Sequence, residues 1–379
     1  MPHVFVTDAQ RRKSLAVVRS LGRKGIQVTA GEEFKSALAS YSKYCHRAVV
    51  YPSPTETPGR FIEWLIEHLK RHTYTAIFPT NEQTLTPIAQ HLAEISQYAT
   101  VPIADYDTYM KARDKSVTLK IAAEHGIPCP KTDVAQTLDE AKQIAKQVGY
   151  PLVIKPREGT GSSGVTYVAS ERDFDASYVK VHKTYPYPLI QEYIPPGGGA
   201  YGVCALFDAQ SQPKAVFVHR RLREYPVSGG PSTLRESVHH PKLVELGIQM
   251  LKALNWYGVA MVEWKVDPRD GEPKLMEVNP KFWGSIELAI YSGVDFPYLL
   301  YQMAVEGDVP PVFEYKDGIQ CRWLLGELLH FIYNPNRLKI ARSFFRFFGK
   351  DLYYDVISKD DLRPVFGLFQ SYLGRVFDQ

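Results

Sequence analysis

The sequence predicts a mixed fold, α/β in its first part and α+β in its middle, with two or three domains. Short apolar strands alternate with helical patterns over roughly the first hundred residues, which is typical of a parallel sheet with crossover helices. The middle third reads as strands around a glycine-rich loop, and the last part is rich in Phe, Tyr, Leu and Arg. With 379 residues, 45% of them hydrophobic, the chain can bury a large core.

Charge and cysteine usage limit the partners and the compartment. The chain has 45 basic and 41 acidic residues, a net charge of +4, and no Lys/Arg block long enough to follow a phosphate backbone. We therefore expect no nucleic-acid partner. The four cysteines lack CxxC spacing, which indicates neither a zinc site nor a disulfide framework. No apolar run reaches the ~18 residues of a membrane span. We expect a cytoplasmic protein without an integral membrane segment.

The first unit is predicted to close near residue 105 as a parallel sheet with helices. It begins as a βαβ unit, with a strand over residues 4–7, a helix over 11–24 and a strand over 26–30. The further elements expected are a helix over 59–71, a strand over 75–79, a helix over 85–95 and a strand over 99–103.

The middle of the chain is predicted to be a smaller α+β unit followed by longer strands. One helix over 108–125 leads into it. The elements expected next are a helix over 138–148 and strands over 152–155, 165–169 and 189–193. Two later strands, over 259–266 and 274–279, flank a turn-rich segment and predict an antiparallel hairpin.

A glycine-rich loop follows the strand that ends at Lys155. Gly159, Gly161 and Gly164 form a literal GxGxxG. A dinucleotide site would need a helix after this loop, whereas a strand pattern follows, so that interpretation fails. Glycine backbone amides can approach phosphates closely, and Lys155 adds a positive charge. The loop is predicted to be a flap over a triphosphate, and a flexible turn without a ligand is the alternative.

The predicted hairpin places two glutamates opposite each other. If it is symmetric about Asp270, Glu263 faces Glu277, and Asn279 shares their face. Like charges across a strand pair are unfavourable, so this arrangement calls for a compensating cation. Oxygen ligands favour Mg²⁺ or Mn²⁺. A solvated sheet face, or a register slipped by one residue, is the alternative.

Several motifs, taken in order, resemble the ATP-grasp superfamily. They are Asp114-Lys115, Ile127-Pro128, Lys155 with its glycine loop, Gln191-Glu192-Tyr193-Ile194, Glu263, and Glu277-Val-Asn279-Pro-Lys-Phe-Trp-Gly-Ser285. The resemblance covers roughly residues 106–300, and the unit before it looks like the domain that precedes the grasp in biotin carboxylase and carbamoyl phosphate synthetase. It implies an N-terminal Rossmann-like pre-ATP-grasp domain (1–105) and a two-part ATP-grasp domain (106–306, small subdomain about 127–193). A helical C-terminal extension (307–379) is expected after them.

The resemblance also implies roles for individual residues. The nucleotide-binding residues would be Lys115 and Lys155 on the α- and β-phosphates, Gly161, Ser162 and Ser163 over the triphosphate, and Gln191, Glu192, Tyr193 and Ile194 around adenine. The metal ligands would be Glu263, Glu277 and Asn279. The catalytic cations would be Arg221, Arg223, Arg235 and Lys281.

Two features of the sequence depart from the family pattern. Lys281 stands where relatives often have arginine, and a lysine cannot form a bidentate clamp on a carboxylate. Residues 197–200 lack the carboxylate that some relatives place there for the ribose.

Arg221 and Arg223 share a strand face at spacing two and suit a reactive oxyanion, although a basic edge strand is the alternative.

The function implied is an ATP-dependent carboxylate–amine ligase. MgATP would phosphorylate a carboxylate, and an amine would attack the acyl phosphate to give an amide and ADP. An amino acid or a sugar acid is expected as a small-molecule substrate. The alternatives are an enzyme that makes a carboxy- or carbamoyl-phosphate and a non-catalytic nucleotide-binding regulator. Assembly into a homodimer is left open.

The C-terminal part, from about Gly307, is basic and aromatic, notably over residues 340–348. A helix there would carry arginines among phenylalanines. We favour a helical cap packed on the core. The alternative is an amphipathic surface that makes peripheral contact with a membrane or a partner.

Overall fold

The computed structural model describes residues 1–159 and 163–368. Three sheets organise this part of the chain: a four-stranded parallel sheet at the N-terminus, a four-stranded antiparallel sheet, and a seven-stranded sheet. Helices occur throughout the described residues. The mixed α/β and α+β class predicted from the sequence is confirmed.

The N-terminal unit is a parallel sheet, as predicted. Its elements are β1 (His3–Val6), α1 (Arg12–Arg23), β2 (Gln27–Glu32), a 3₁₀ turn (Leu38–Tyr41), β3 (Arg47–Val50), α2 (Pro58–Arg71), β4 (Ala76–Phe78), α3 (Glu82–Gln90) and α4 (Leu92–Ile95). The strand order is β3-β2-β1-β4. The strand expected over 99–103 is reduced to one bridge between Ala76 and Thr100. Sequence analysis missed β3 because its side chains are mostly exposed.

Two helices connect this unit to the next: α5 (Tyr106–Arg113) and α6 (Lys115–Glu124). The prediction of one continuous helix over 108–125 was wrong. The break occurs at Asp114, whose backbone is extended and whose carboxylate accepts a hydrogen bond from the Ser116 amide as the N-cap of α6. The same carboxylate pairs with Arg157 at the start of the glycine loop. Asp114 therefore links the helix start to that loop.

The small antiparallel sheet has the order β5-β8-β6-β7. Its elements are β5 (Thr132–Val134), α7 (Leu138–Val148), β6 (Leu152–Lys155), β7 (Thr166–Val168), a 3₁₀ turn (Glu171–Asp173), α8 (Phe174–Thr184) and β8 (Leu189–Glu192). All four residues of β6 are buried, and the strand ends at Lys155. The glycine loop joins two strands, as the sequence predicted.

The large sheet lies between two layers of helices. The elements from here to the last strand are β9 (Ala200–Phe207), β10 (Pro213–Glu224), β11 (Ser232–Ser237), α9 (Pro241–Ala253), β12 (Gly258–Val266), β13 (Pro273–Asn279), α10 (Ile286–Ser292), α11 (Phe296–Glu306), β14 (Gln320–Arg322), α12 (Leu324–Tyr333), α13 (Arg337–Phe344) and β15 (Leu352–Tyr354). The strand order is β13-β12-β9-β10-β11-β14-β15. Alternate residues of β9 enter different cores: Cys204 lies in a core with α1, α10 and α11, and Val203 in one with α6 and α9.

The β12–β13 hairpin has the register that the sequence predicted at its functional end. Glu263 pairs with Glu277, and Met261 pairs with Asn279. The next pair toward the turn is Trp264 with Leu275, which is out of step by one residue. The hairpin therefore has a bulge just after the glutamate pair. The bulge leaves the two glutamates opposed.

The segment after Gly307 is not purely helical. Two short strands, β14 and β15, extend the large sheet at its edge, and α12 and α13 lie between them in the chain. Residues 363–368 are again helical. Among the described residues, no helix is both long and apolar enough to cross a bilayer.

Arg19 of α1 ties the N-terminal unit to this C-terminal segment. Its side chain is fully buried, and its Nε donates to Asp361 Oδ2 at 3.0 Å. Its NH2 donates to the carbonyl oxygens of Val356 and Asp361 at 2.8 and 2.7 Å. A buried cation must meet all of these acceptors at once, so the contacts stabilise a single arrangement of α1 against residues 356–361. The C-terminal segment therefore fastens the N-terminal unit to the rest of the fold.

Arg19→Met should destabilise the protein by about 3–5 kcal/mol, because it leaves the buried Asp361 carboxylate without its cation. Arg23→Met is a matched control, since Arg23 lies one turn further along α1 and its pair with Asp360 is partly exposed. The control should cost no more than ~1 kcal/mol. Urea unfolding curves measure both, and equal losses would contradict the fastening role of Arg19.

Candidate active site

A cleft of about 600 Å³ lies between the small sheet, the large sheet and the N-terminal unit. One wall comes from the small sheet, including Lys155, and from residues 191–194 at the end of β8, which we call the hinge. The floor is the β12–β13 hairpin. The far end is formed by the start of α1 and by residues 281–285. A cleft of this size accommodates a nucleotide together with a second small molecule.

Glu263, Glu277 and Asn279 lie together on the floor of the cleft. The Asn279 side-chain amide donates to Glu263 Oε1 at 3.0 Å and to Glu277 Oε1 at 3.2 Å. Both carboxylates are also paired with cations: Glu263 with Arg221, and Glu277 Oε2 with Lys115 Nζ at 3.2 Å. The like charges that the hairpin opposes are thus compensated from both sides.

The pKa values of the two glutamates shift in opposite directions. Burial, and the negative charge of Glu277, raise the pKa of Glu263 although Arg221 acts against this. Burial would also raise the pKa of Glu277, but Lys115 and Lys155 outweigh it and hold that pKa below its usual value. Glu277 is therefore the more strongly ionised carboxylate.

The donor set fits a hard divalent cation that brings further ligands with it. Two carboxylates and one amide supply three oxygens, and Mg²⁺ completes its octahedron with water and phosphate oxygens. The described residues contain no group of three or more His, Cys, Asp or Glu side chains arranged for a metal ion. Asn279 presents its nitrogen to the glutamates here, so metal binding requires its amide to turn over. Such a site would hold a metal together with a nucleotide.

Lys155 is a strongly desolvated cation in the wall of the cleft. It is 7% exposed. Burial lowers its pKa to about 7, although the nearby Glu277 acts against this. Among the described residues, no carboxylate lies within ion-pair distance of its Nζ. Lys115 lies nearby and donates to the Gly159 carbonyl at 3.0 Å. Both lysines face the space where a polyphosphate would lie.

The hinge residues line the cleft at the end of β8. Gln191 is buried and donates to the Thr132 hydroxyl at 2.8 Å, which makes it a structural residue of the small sheet. Glu192 accepts from Arg269 at 2.6 Å and from the Lys131 amide at 3.2 Å. Tyr193 and Ile194 also face the cleft. This wall offers backbone and apolar contacts to a planar ring.

Part of the glycine flap lies outside the described residues, namely the predicted Gly161 and Ser162. Ser163 lines the cleft, and its hydroxyl lies 3.0 Å from the Tyr185 hydroxyl. Gly164 has φ +74°, and a Cβ there would lie 2.5 Å from the Tyr185 ring. Only glycine suits that position.

The structure separates the three predicted arginines. Arg221 faces the cleft and pairs with Glu263. Arg223 does not share its face, because a bulge between the two residues reverses the alternation of β10 and directs Glu224 into the cleft instead. Arg223 Nε donates to both carboxylate oxygens of Glu327 at 3.0 Å. Arg235 is fully buried and pairs with Asp355. Neither Arg223 nor Arg235 is available to a substrate.

The comparisons with known proteins agree with this geometry. Residues 112–285 match the family model of the ATP-grasp domain. Residues 112–285 are an ATP-grasp domain. The resemblance inferred from the sequence is confirmed.

Proteins similar to this chain include a carbamoyl phosphate synthase and a D-aspartate ligase and, by fold, a biotin carboxylase. The carbamoyl phosphate synthase large chain (C-terminal section) of Methanopyrus kandleri is 23% identical over 53% of this chain and 40% of that protein. The D-aspartate ligase of Enterococcus faecium is 24% identical over 51% of this chain and 49% of that protein. Biotin carboxylase of Campylobacter jejuni has the same fold, with a TM-score of 0.71 and 19% identity over 84% of this chain and 74% of that chain. The chain thus spans less than half of those two curated relatives.

Outside the ATP-grasp domain, the N-terminal unit supplies cleft residues that sequence analysis missed. Lys13, 7% exposed, donates to Asn81 Oδ1 and to the Phe282 carbonyl, both at 3.1 Å. Lys281 lies near it and pairs with Glu82. Arg11 and Arg12 line the same end. A signal was available: Lys13 and Asn81 follow β1 and β4, and the carboxyl ends of parallel strands are where such folds bind ligands.

Lys155→Met should weaken binding of MgADP to the ATP-grasp domain by about 10-fold or more, because it removes a charge-assisted contact to phosphate. The same change should stabilise the free protein by about 1–3 kcal/mol near pH 7, since burying the ammonium is unfavourable. Because the pKa of Lys155 is lowered to about 7 in the folded protein, this gain is fully present at and below about pH 7. It shrinks as the pH rises and vanishes above the pKa of an unfolded lysine, about 10.4, where Lys155 is neutral in both states.

Isothermal titration calorimetry and urea unfolding at two pH values measure these effects. Lys180→Met is the control: this lysine is exposed on α8 and should alter neither quantity. A destabilised variant with unchanged affinity for MgADP would show that Lys155 is a structural lysine.

Proposed function

We propose that the protein is an ATP-dependent carboxylate–amine ligase that forms an amide bond through an acyl phosphate. ATP with Mg²⁺ or Mn²⁺ is the phosphoryl donor, and small molecules of the amino-acid or sugar-acid type supply the carboxylate and the amine. We also propose that it works in the cytoplasm. The observation that carries the proposal is the opposed pair Glu263 and Glu277, with Asn279, on the floor of a cleft whose two ends are both cationic.

The cleft divides into two halves with different chemistry. The half near the hinge offers Tyr193 and Ile194 to an adenine ring and Lys155 and Lys115 to the phosphates. The other half, with Lys13, Lys281 and Arg11, suits an anionic substrate. Two of the cations at that end already have carboxylate partners: Lys281 has Glu82 and Arg12 has Asp355. Among the described residues, the hydrogen-bond partners of Lys13 are the neutral oxygens of Asn81 and Phe282, so this lysine favours an incoming carboxylate.

The reaction needs no protein nucleophile. A carboxylate oxygen attacks the γ-phosphorus of ATP, the bond to the β-γ bridging oxygen breaks, and ADP leaves. The amine then attacks the carbonyl carbon, and inorganic phosphate departs as the amine loses a proton. Magnesium, when bound by Glu263, Glu277 and Asn279, would offset negative charge on the transferring phosphoryl group. Lys155 and Lys115 would hold the phosphates in line, and Lys13, with Lys281 beside it, would orient the carboxylate.

ADP release across a matrix of carboxylates and amines, with mass spectrometry of the products, tests this function. An amide product with ADP supports the ligase. ADP release with a carboxy- or carbamoyl-phosphate product and no amide would favour a reaction like that of the carbamoyl phosphate synthase relatives. Nucleotide binding without turnover on any pair would indicate a non-catalytic protein.

Glu277→Gln should lower ADP release by at least about 100-fold, because it removes the charge of the more strongly ionised metal ligand at nearly constant shape. The loss of stability should stay near ~1–2 kcal/mol. The matched control is Glu272→Gln, at the exposed end of the same hairpin, which should leave turnover unchanged. Wild-type turnover in the Glu277 variant would refute the metal assignment.

A further inference from the structure

The outer surface of α12, α13 and the loop to residue 348 exposes large apolar side chains. We call it the C-terminal face, and its exposed apolar residues are Leu328, Ile332, Tyr333, Leu338, Phe345, Phe347 and Phe348. Leu338, Phe345 and Phe348 are 85%, 61% and 91% exposed. Such side chains in one short segment are unusual on a surface that meets only water.

The C-terminal face is firmly attached to the fold. Glu327 of α12 is buried, where it bonds to Arg223 and accepts from the Thr233 hydroxyl at 2.7 Å. Phe344 stacks on Phe331 with ring centroids 4.2 Å apart. Arg322 NH1 donates to the Phe344 carbonyl at 3.0 Å. The exposed apolar side chains therefore project from an anchored scaffold, and the predicted cap is packed on its inner side only.

The charges on this face are all of one sign. Residues 328–348 contain four Lys or Arg, namely Arg337, Lys339, Arg342 and Arg346, and no Asp or Glu. Leu338 and Arg342 of α13, and Phe345 at its end, follow each other at spacings of four and three, so apolar and basic side chains share the outward face. A second copy of the same face would bring like charges together. An anionic partner with an apolar interior matches both properties.

We propose that the C-terminal face binds peripherally to an anionic lipid bilayer, with the phenylalanines and Leu338 inserted at the headgroup boundary and the basic residues on lipid phosphates. The negative surface potential of an anionic leaflet attracts each of the basic residues. Burial of the apolar side chains adds to this attraction. The proposal does not depend on the ligase activity.

Vesicle sedimentation of the full chain tests the proposal. We expect binding to vesicles of phosphatidylglycerol and phosphatidylcholine, at least ~10-fold weaker binding to phosphatidylcholine alone, and loss of binding as salt is raised. No binding to anionic vesicles at low salt would overturn the proposal. So would equal binding to both kinds of vesicle, since charge would then play no part.

Two variants separate the apolar from the basic contribution. Replacing Leu338, Phe345 and Phe348 by Ser should abolish sedimentation, and replacing Arg337, Arg342 and Arg346 by Ala should reduce it by ~10-fold or more. The matched control replaces Val305 and Phe313, exposed apolar residues elsewhere on the chain, by Ser and should bind like wild type. All changes lie on the surface, and unchanged urea unfolding verifies the fold.

Light scattering at low salt distinguishes a second copy from a bilayer. The proposal predicts the same oligomeric state for wild type and for the variant with three serines. A wild-type assembly that dissociates in that variant would show that this face joins two copies of the chain, and would overturn the membrane assignment.

Discussion

Two glutamates opposite each other on neighbouring strands impose the constraint around which the cleft is built. Glu263 and Glu277 point to the same half-buried surface, where their repulsion would be costly without nearby cations. Arg221 and Lys115 supply that compensation, and they come from two other parts of the fold. A divalent cation bound between the two glutamates would supply it in a more concentrated form. The two ion pairs thus surround the position proposed for the metal ion.

Ion pairs also connect the N-terminal and C-terminal segments to the site. Asp355 pairs with Arg12, at the end of the cleft, and with Arg235, inside the large sheet. Asp361 binds Arg19 on the helix that carries Lys13 toward the cleft. The chain after β14 therefore fixes the position of α1, and α1 forms the end of the cleft proposed to receive the substrate.

The hairpin could be predicted from sequence because the alternation of a strand and the position of a turn are local properties. These two properties determined which residues face each other, and the bulge after Glu263 left Glu263 opposite Glu277. The pattern of the strand after the glycine loop is also a local property of the sequence. It excluded a dinucleotide site, which would need a helix at that position.

Errors arose where a distant residue or a backbone irregularity decides the outcome. Arg223 and Arg235 resembled substrate-binding residues, but their partners Glu327 and Asp355 lie roughly a hundred residues further along the chain. A bulge in β10 turned Arg223 away from the cleft, and nothing in the local sequence indicated it. Lys13 was missed because the Arg11-Arg12-Lys13 run was interpreted only as the start of a helix, and its proximity to Phe282 is a tertiary contact.

The position of a bound metal ion tests the central claim most directly. A crystal structure with Mn²⁺ and a non-hydrolysable ATP analogue, with anomalous data, locates the ion without reference to turnover. We expect an anomalous peak between Glu263 and Glu277, within about 2.0–2.4 Å of their oxygens, with Asn279 turned to present its own oxygen. A metal ion bound elsewhere, or a nucleotide held in the cleft while both glutamates keep their pairs with Arg221 and Lys115, would contradict it.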